Sequence, residues 1–414
     1  MKVAIIGGGA AGMVTAYFLD KTCDVTVFEK QPILGGNIRT LNKNVQDGID
    51  GIPDDLYIDN GVIEFDESNF TEFHALMSEL GVEMDHVSLS TGYFSTDGRY
   101  YLSPYRVFHS ESSMAGHLRE TFRLLFCAFD FSLFMLRTAI HNESYFKNKS
   151  VSKFFRDHVY YRWLKMLLMY GYSIPYRQID AMPSALAIPL LRRCSLFTRW
   201  TCIKGGAYTY IEKILEGFGG TIRVGADIES VIRNDAGVTI SILNDEPKQF
   251  DKVVFATPPD QVLKLLSDPT EEEVRWFSEW RENVAHTLIH TDMSMYDGYN
   301  VSSYSAFDVF EKTGNDAGYN AFLNPLIDPD RRSAANYNLA YNMDDRIDPK
   351  RVLHTQEHHT PLYEVDAYAF RDEIAANNGS NNTYHAGAYL YDGLHEGAVK
   401  SAQAVAKLLK NATA

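Results

Sequence analysis

The sequence predicts an α/β fold on three observations: an apolar run at the start of the chain that ends in clustered glycines, a helical apolar pattern directly after it, and a similar strand, glycine loop and helix near the C-terminus. The chain has 414 residues, 45% of them hydrophobic, which suffices for a large core in two closely connected domains. A formal net charge of -15 argues against general nucleic-acid binding, because affinity for phosphate backbones comes mainly from clustered Lys and Arg. Cys23, Cys127, Cys194 and Cys202 form no CxxC pair and are too scattered for a disulfide framework, so a reducing, cytoplasmic setting is expected. Met1–Ile6 runs straight into glycines without a basic n-region or cleavage site, and reads as a buried strand rather than a signal peptide.

Lys2-Val3-Ala4-Ile5-Ile6 reads as that strand, Gly7-Gly8-Gly9-Ala10-Ala11-Gly12 as a GxGxxG turn, and the pattern through Ala16, Tyr17 and Leu19 as a helix. Gly7 permits the tight turn and Gly9 lets the backbone approach a pyrophosphate. Gly12 allows close helix–strand packing, with the phosphates at the helix N-terminus beside Ala10 and Ala11. A second strand, Asp24–Phe28, ends in Glu29-Lys30. The Glu29 carboxylate falls about 20 residues after the glycines, where it can accept hydrogen bonds from ribose hydroxyls and disfavours a 2′-phosphate. Strand, glycines, helix, strand and acid in register make this a Rossmann-like dinucleotide-binding unit.

From Glu29 the chain continues Lys30-Gln31-Pro32-Ile33-Leu34-Gly35-Gly36-Asn37-Ile38-Arg39-Thr40. This resembles the E-x5-G-G-x-x-x-T sequence of the flavin amine oxidase superfamily, which implies FAD as the cofactor and places Gly35-Gly36 close to its diphosphate and ribityl chain. That family often has Arg after the glycine pair where this chain has Asn37, a departure that Arg39 can offset. Ile58-Asp59-Asn60-Gly61-Val62-Ile63 resembles the family's D-x-G segment, with Gly61 leading towards the isoalloxazine. Gly205-Gly206, the helix around Tyr210–Leu215 and the stretches Thr221–Val224, Asp227–Val231 and Val253–Pro259 resemble the return to the FAD domain, Ile228 meeting the adenine through its backbone and Ala256 passing near the cofactor. Thr383–Ala388 and Asp392–Val399, with Gly387, His395, Glu396 and Ala398, resemble the final strand, loop and helix. The N–H groups and positive end of that helix can stabilise negative charge on reduced flavin. The likeness is strongest to a bacterial subgroup of predicted NAD/FAD-binding flavoproteins and thinnest between about residues 100 and 200.

Two departures weigh against amine oxidation. Monoamine oxidases place a Tyr two residues before the Glu of the C-terminal motif, and here that position is Leu394. No cysteine follows Cys202, so the covalent flavin link of that group has no candidate and FAD should be non-covalent. Tyr389 and Tyr391 can line the flavin pocket or pack in the core. No residue stands out as a catalytic base: Glu396 reads as a helix-dipole or loop anchor, and His290 and Asp292 as a satisfied buried pair. His354-Thr355-Gln356-Glu357-His358-His359 lacks HExxH order, reads as a polar surface segment, and no metal is expected.

Between Arg119 and Lys204 the sequence carries fourteen Lys or Arg against five acids, a net of +9 inside a chain of -15. The segment is aromatic and helical in pattern, and suits either a solvated basic face or contact with an anionic membrane or carboxylate-bearing lipid. Phe122–Ile140 contains Arg123, Asp130 and Arg137 and reads as a core or interfacial helix rather than a membrane span. The expected architecture is a Rossmann-like FAD-binding domain (1–65, 205–265 and 365–414) interleaved with an α+β substrate domain (66–204 and 266–364). The expected function is hydride transfer from a small, hydrophobic organic substrate to FAD. A redox-neutral isomerase of an unsaturated fatty acid and a non-catalytic FAD-binding partner are the alternatives.

Overall fold

A computed structural model describes residues 1–413 apart from 46–48, 89, 104–105, 108–113, 157–158, 194–198, 300, 302 and 328–332. The first strand, Lys2–Ile6, is buried along Val3–Ile6 because both faces of its sheet are covered. It lies at the centre of a five-stranded parallel sheet in the order Thr221–Arg223, Asp24–Phe28, Lys2–Ile6, Lys252–Phe255, Thr383–His385. Segments from the start, middle and end of the sequence thus build one layer. Helices Ala10–Leu19 and His395–Thr413 pack together against it, burying Met13, Val14, Ala402 and Val405 in a shared cluster. Each such side chain contributes roughly 1.5–3 kcal/mol where its full surface leaves water.

A second, seven-stranded sheet has the order Val352–Pro361, Glu282–His290, Asn338–Tyr341, Asp316–Phe322, Phe307–Lys312, Thr91–Phe94, Tyr100–Leu102. All its pairings are antiparallel except that of Phe307–Lys312 with Thr91–Phe94. Helices Met114–Ala139, Val159–Tyr172 and Ser184–Arg193 lie in the stretch between these layers' strands in sequence. Two three-stranded sheets, one from Glu64–Asp66, Trp200–Ile203 and Met84–Val87, the other from Ile228–Asn234, Gly237–Ile242 and Lys248–Phe250, and a two-stranded pair of Thr40–Leu41 with Ile58–Asp59 complete the frame among the described residues. The fold class is the expected one, an interleaved α/β fold with a Rossmann-like sheet and a mixed helical and sheet region.

The histidine-rich segment departs from expectation. It forms the ten-residue edge strand Val352–Pro361, and alternation along that strand turns His354, Gln356 and His358 to the more buried face while Thr355 and Glu357 are exposed. The β-branched Val352, Thr355 and Thr360 in this run favour a strand over the polar surface segment that its composition suggested. Helix Met114–Ala139 forms as predicted but buries only one stripe: Cys127, Phe134 and Thr138 face inward, while several large apolar side chains stay exposed.

Candidate functional site

Four adjacent parallel strands deliver a predicted cofactor residue from their C-terminal ends. Gly7 follows Lys2–Ile6, Glu29 follows Asp24–Phe28, Ala256 follows Lys252–Phe255, and Ala386-Gly387 follows Thr383–His385. The chain leaves the central strand towards one neighbour and later returns on its other side, and ligands of such sheets bind in the crevice at that switch point. A cavity of about 2060 Å³ opens here. Gly7, Gly9, Ala10, Ala11, Glu29, Lys30, Gly35, Gly36, Asn37, Gly61, Ile228, Ala256, Gly387, His395 and Ala398 all line it.

The glycines are there for space. A Cβ on Gly7, at φ +108°, would lie 2.6 Å from the Ala256 carbonyl oxygen. Gly9 is different: its Cβ would meet nothing closer than Gly36 Cα at 3.6 Å, and would stand in the gap between the two glycine loops. The helix Ala10–Leu19 has no side-chain cap at Gly9, so its first-turn N–H groups are available to an anion. Glu29 accepts from Gly8 N–H at 2.7 Å and Gln31 N–H at 2.8 Å, one on each oxygen. Those bonds fix the carboxylate and leave lone pairs for hydroxyl donors. Arg39 is buried rather than on the surface: its guanidinium donates to the Leu34 and Ile38 carbonyls, bracing the Gly35-Gly36 turn, and lines the cavity beside Glu29. Burial lowers its pKa from the ordinary arginine value, with Glu29 opposing. Lys30 pairs at 3.4 Å with Asp227, next to Ile228, and Asn37 donates to the His359 carbonyl at 2.9 Å.

Two residues of the cofactor motifs do not line the cavity, Gly12 in keeping with its expected packing role and Glu396 with a structural role of its own. Gly12 is a packing glycine, whose Cβ would fall 1.9 Å from the Gly7 carbonyl oxygen. Glu396 is buried away from the cavity, where its carboxylate accepts from Glu72 N–H at 3.1 Å, Phe73 N–H at 3.0 Å and the Thr71 hydroxyl at 3.2 Å. It thereby caps the N-terminus of helix Thr71–Leu80, with Lys400 at 2.9 Å offsetting its charge. The start of the final helix is also less open than expected: Asp392 Oδ1 accepts from Leu394 N–H and Gly397 N–H, both at 2.9 Å. Asp is a preferred residue just ahead of a helix, a signal present in the sequence and overlooked. His290 and Asp292 lie off the cavity, His290 bonded to Asn320 at 2.9 Å and Asp292 to Ser294 and Asp348.

Beyond the glycine loops the cavity is apolar and aromatic. Leu124, Cys127 and Phe131 of one helix and Tyr160, Trp163, Leu164 and Leu167 of another form part of its wall. Tyr170 stacks near Phe307 and Tyr319, ring centroids 4.2 and 5.1 Å away. Tyr389 lines the cavity; Tyr391 does not. A carboxyl paired with Tyr170 interrupts this surface. Tyr170 donates to Glu64 Oε2 at 2.5 Å, while Glu64 Oε1 is buried with no partner among the described residues. Burial pushes this carboxyl up to about 7, against the Tyr170 hydrogen bond and with the nearby Asp59 adding to the rise. Sequence reading missed Glu64, although strand alternation puts Val62, Glu64 and Asp66 on one side, and all three line the cavity. It missed His358 too. That imidazole lies against Gly61, whose Cβ would approach its Cε1 to 3.0 Å, and burial lowers its pKa to about 4. His395, set among Phe65, Phe73 and Tyr210, falls to about 4 for the same reason, so both rings are neutral at pH 7.

A Rossmann-type sheet whose strand ends open into one cavity, continuous with an aromatic chamber, defines the class of FAD-dependent oxidoreductases of amine-oxidase-like fold. The family model of flavin containing amine oxidoreductases matches residues 10–289, and the chain belongs to that family. Cyclohexylamine oxidase from Brevibacterium oxydans IH-35A shares the fold at a TM-score of 0.71 and 12% identity, over 99% of each chain. A CLA-producing fatty acid isomerase from P. acnes does so at 0.67 and 16% identity, over 99% of this chain and 98% of that one. A protoporphyrinogen oxidase of Schizosaccharomyces pombe (strain 972 / ATCC 24843) is 28% identical over 132 residues, covering 29% of this chain and 25% of that protein's length.

Proposed function

We propose that the cavity binds one FAD non-covalently, its diphosphate at Gly7–Gly12 and Gly35-Gly36 and its ribose at Glu29, and that the chain oxidises a lipophilic organic substrate held in the aromatic chamber. When bound, FAD held by these loops would supply a two-electron acceptor for a hydride from a substrate C–H bond, and an external oxidant such as O₂ would regenerate it. The observation that carries this reading is the continuity of the cavity from the glycine loops into a chamber walled by Leu124, Phe131, Trp163 and Tyr319. The chain's own residues then have separable tasks. The apolar wall excludes water and selects an apolar substrate. Neutral His358 and His395 place no positive charge at the ring end of the site. Glu64, held near neutrality in its titration and oriented by Tyr170, can take or hold one proton at Oε1.

An anaerobic screen of aliphatic amines and unsaturated fatty acids, followed in the visible flavin band, tests this. Bleaching by a substrate and recovery on admitting oxygen is the expected result. A shifted double bond with no net bleaching replaces net oxidation by redox-neutral isomerisation, which the amphiphile-sized chamber also accommodates. Inertness to every class overturns both readings in favour of a non-catalytic flavin-binding protein.

A further inference from the structure

The helix Met114–Ala139 carries a surface that none of the other described residues covers. Leu118, Phe122, Leu125, Phe126, Phe129 and Leu136 are exposed by 56–71%. At about 100° per residue these positions, with Met114 before them, fall within roughly one third of the helix circumference. No charged residue of the helix lies in that sector. Phe134, Cys127 and Thr138 occupy the opposite, buried side. Scattered exposed apolar residues are ordinary, but a contiguous stripe along 26 residues, about 39 Å, marks a docking surface.

We propose that this helix docks the protein on an anionic lipid bilayer, lying in the plane of the interface with its apolar stripe in the headgroup boundary. Three observations select a bilayer. No helix among the described residues is long and apolar enough to cross a membrane, which leaves an in-plane arrangement. The charge around the stripe is net basic: on the helix Arg119, Arg123 and Arg137 outnumber Glu120 and Asp130, although Glu120 pairs with the first two, and Lys147, Lys149, Lys153 and Arg156 follow its C-terminal end, in a chain whose total is -15. A two-fold contact with a second copy brings the same patch onto itself, and so sets these cations against each other; an anionic leaflet neutralises them. Finally, the stripe is continuous with the cavity. Leu125 is 60% exposed and lines the chamber, together with Leu124 and Ala128 one step around the helix. A lipophilic molecule thus passes from bilayer to chamber along one helix without crossing water. This route rests on the proposed lipophilic substrate, whereas the docking itself does not.

The test is flotation of the flavin-loaded full-length protein with vesicles of phosphatidylglycerol and phosphatidylcholine, against pure phosphatidylcholine. A triple variant, Phe122→Ser, Phe126→Ser and Phe129→Ser, changes only exposed side chains and is checked by its melting temperature and flavin content. Binding to the anionic vesicles, weakened by high salt and reduced by about tenfold or more in the triple variant, is the expected result. Absence of binding, equal binding to neutral vesicles, or a triple variant that binds as well as the parent overturns the proposal. So does a dimer in light scattering that the triple variant dissolves without any vesicle binding. Because flotation is read without turnover, failure to bind is distinguishable from failure to oxidise a substrate.

Discussion

Tyr170 donates its hydroxyl to Glu64 inside the aromatic chamber, and the second Glu64 oxygen is buried without a partner among the described residues. The pair joins helix Val159–Tyr172 to the strand that follows the Gly61 turn, so a residue of the helical region sets the protonation of a carboxyl beside the cofactor loops. Burial raises the Glu64 pKa to about 7, and the Tyr170 bond holds it from rising further.

Removing the tyrosine hydroxyl should therefore raise that pKa, since the bond favours the carboxylate. In Tyr170→Phe, the pH dependence of flavin reduction by substrate moves to higher pH, and in Glu64→Gln the limb near pH 7 disappears. Stopped-flow reduction between pH 5 and 9 reads both. Identical profiles in the parent and Glu64→Gln contradict the assignment.

The same carboxyl affects stability, together with Asp59, whose buried side chain also titrates near 7 because desolvation outweighs its bonds to Thr40 and Ala207. A folded pKa above the unfolded value means the folded state holds the proton more tightly. The stabilisation is complete below about pH 4, the unfolded range, and is lost as pH rises through about 7. The melting temperature should fall across that window, and Glu64→Gln should flatten the fall by an amount on the order of 1–3 kcal/mol. Parallel curves for parent and variant count against it.

Gly9 and Gly12 should separate by kind of damage. Gly9→Ala meets only an ordinary contact at 3.6 Å, so the fold should survive with flavin affinity reduced about tenfold or more. Gly12→Ala drives Cβ to 1.9 Å from a backbone oxygen and should destabilise the protein by several kcal/mol, of order 2–4. Melting temperature and bound flavin, measured on both, decide. Equal flavin content in Gly9→Ala and parent would falsify the phosphate role of that turn.

Glu396→Ala should behave as a structural variant. Losing the cap on helix Thr71–Leu80 costs about 1–3 kcal/mol, with the flavin spectrum unchanged. A shifted flavin spectrum at unchanged melting temperature would instead put Glu396 at the cofactor.

The glycine cradle was legible in the sequence because its physics is local: Gly7, Gly9 and Glu29 follow two strand ends at fixed spacing, and the backbone itself does the work. Glu64, Tyr170 and His358 were not legible. They come from three segments separated by over 100 residues, and only tertiary packing gives a lone carboxyl or imidazole a buried environment. The His354–His359 run misled because its polarity suggested a surface segment, whereas its pairing along Glu282–His290 makes it a strand with His358 buried and residues 356–361 along the cavity. Glu396 was read on its own helix, while its partners lie on one that starts 325 residues earlier.

Acid precipitation of the purified protein, with the supernatant assayed for flavin, reads whether one cavity holds FAD beside the substrate chamber. About one FAD released per chain is expected, falling sharply in Gly9→Ala at unchanged melting temperature, and also in Glu29→Ala, where loss of the bonds to Gly8 and Gln31 lowers the melting temperature as well. Protein that takes up no FAD on reconstitution, or releases the same amount from parent and variants, would contradict that reading.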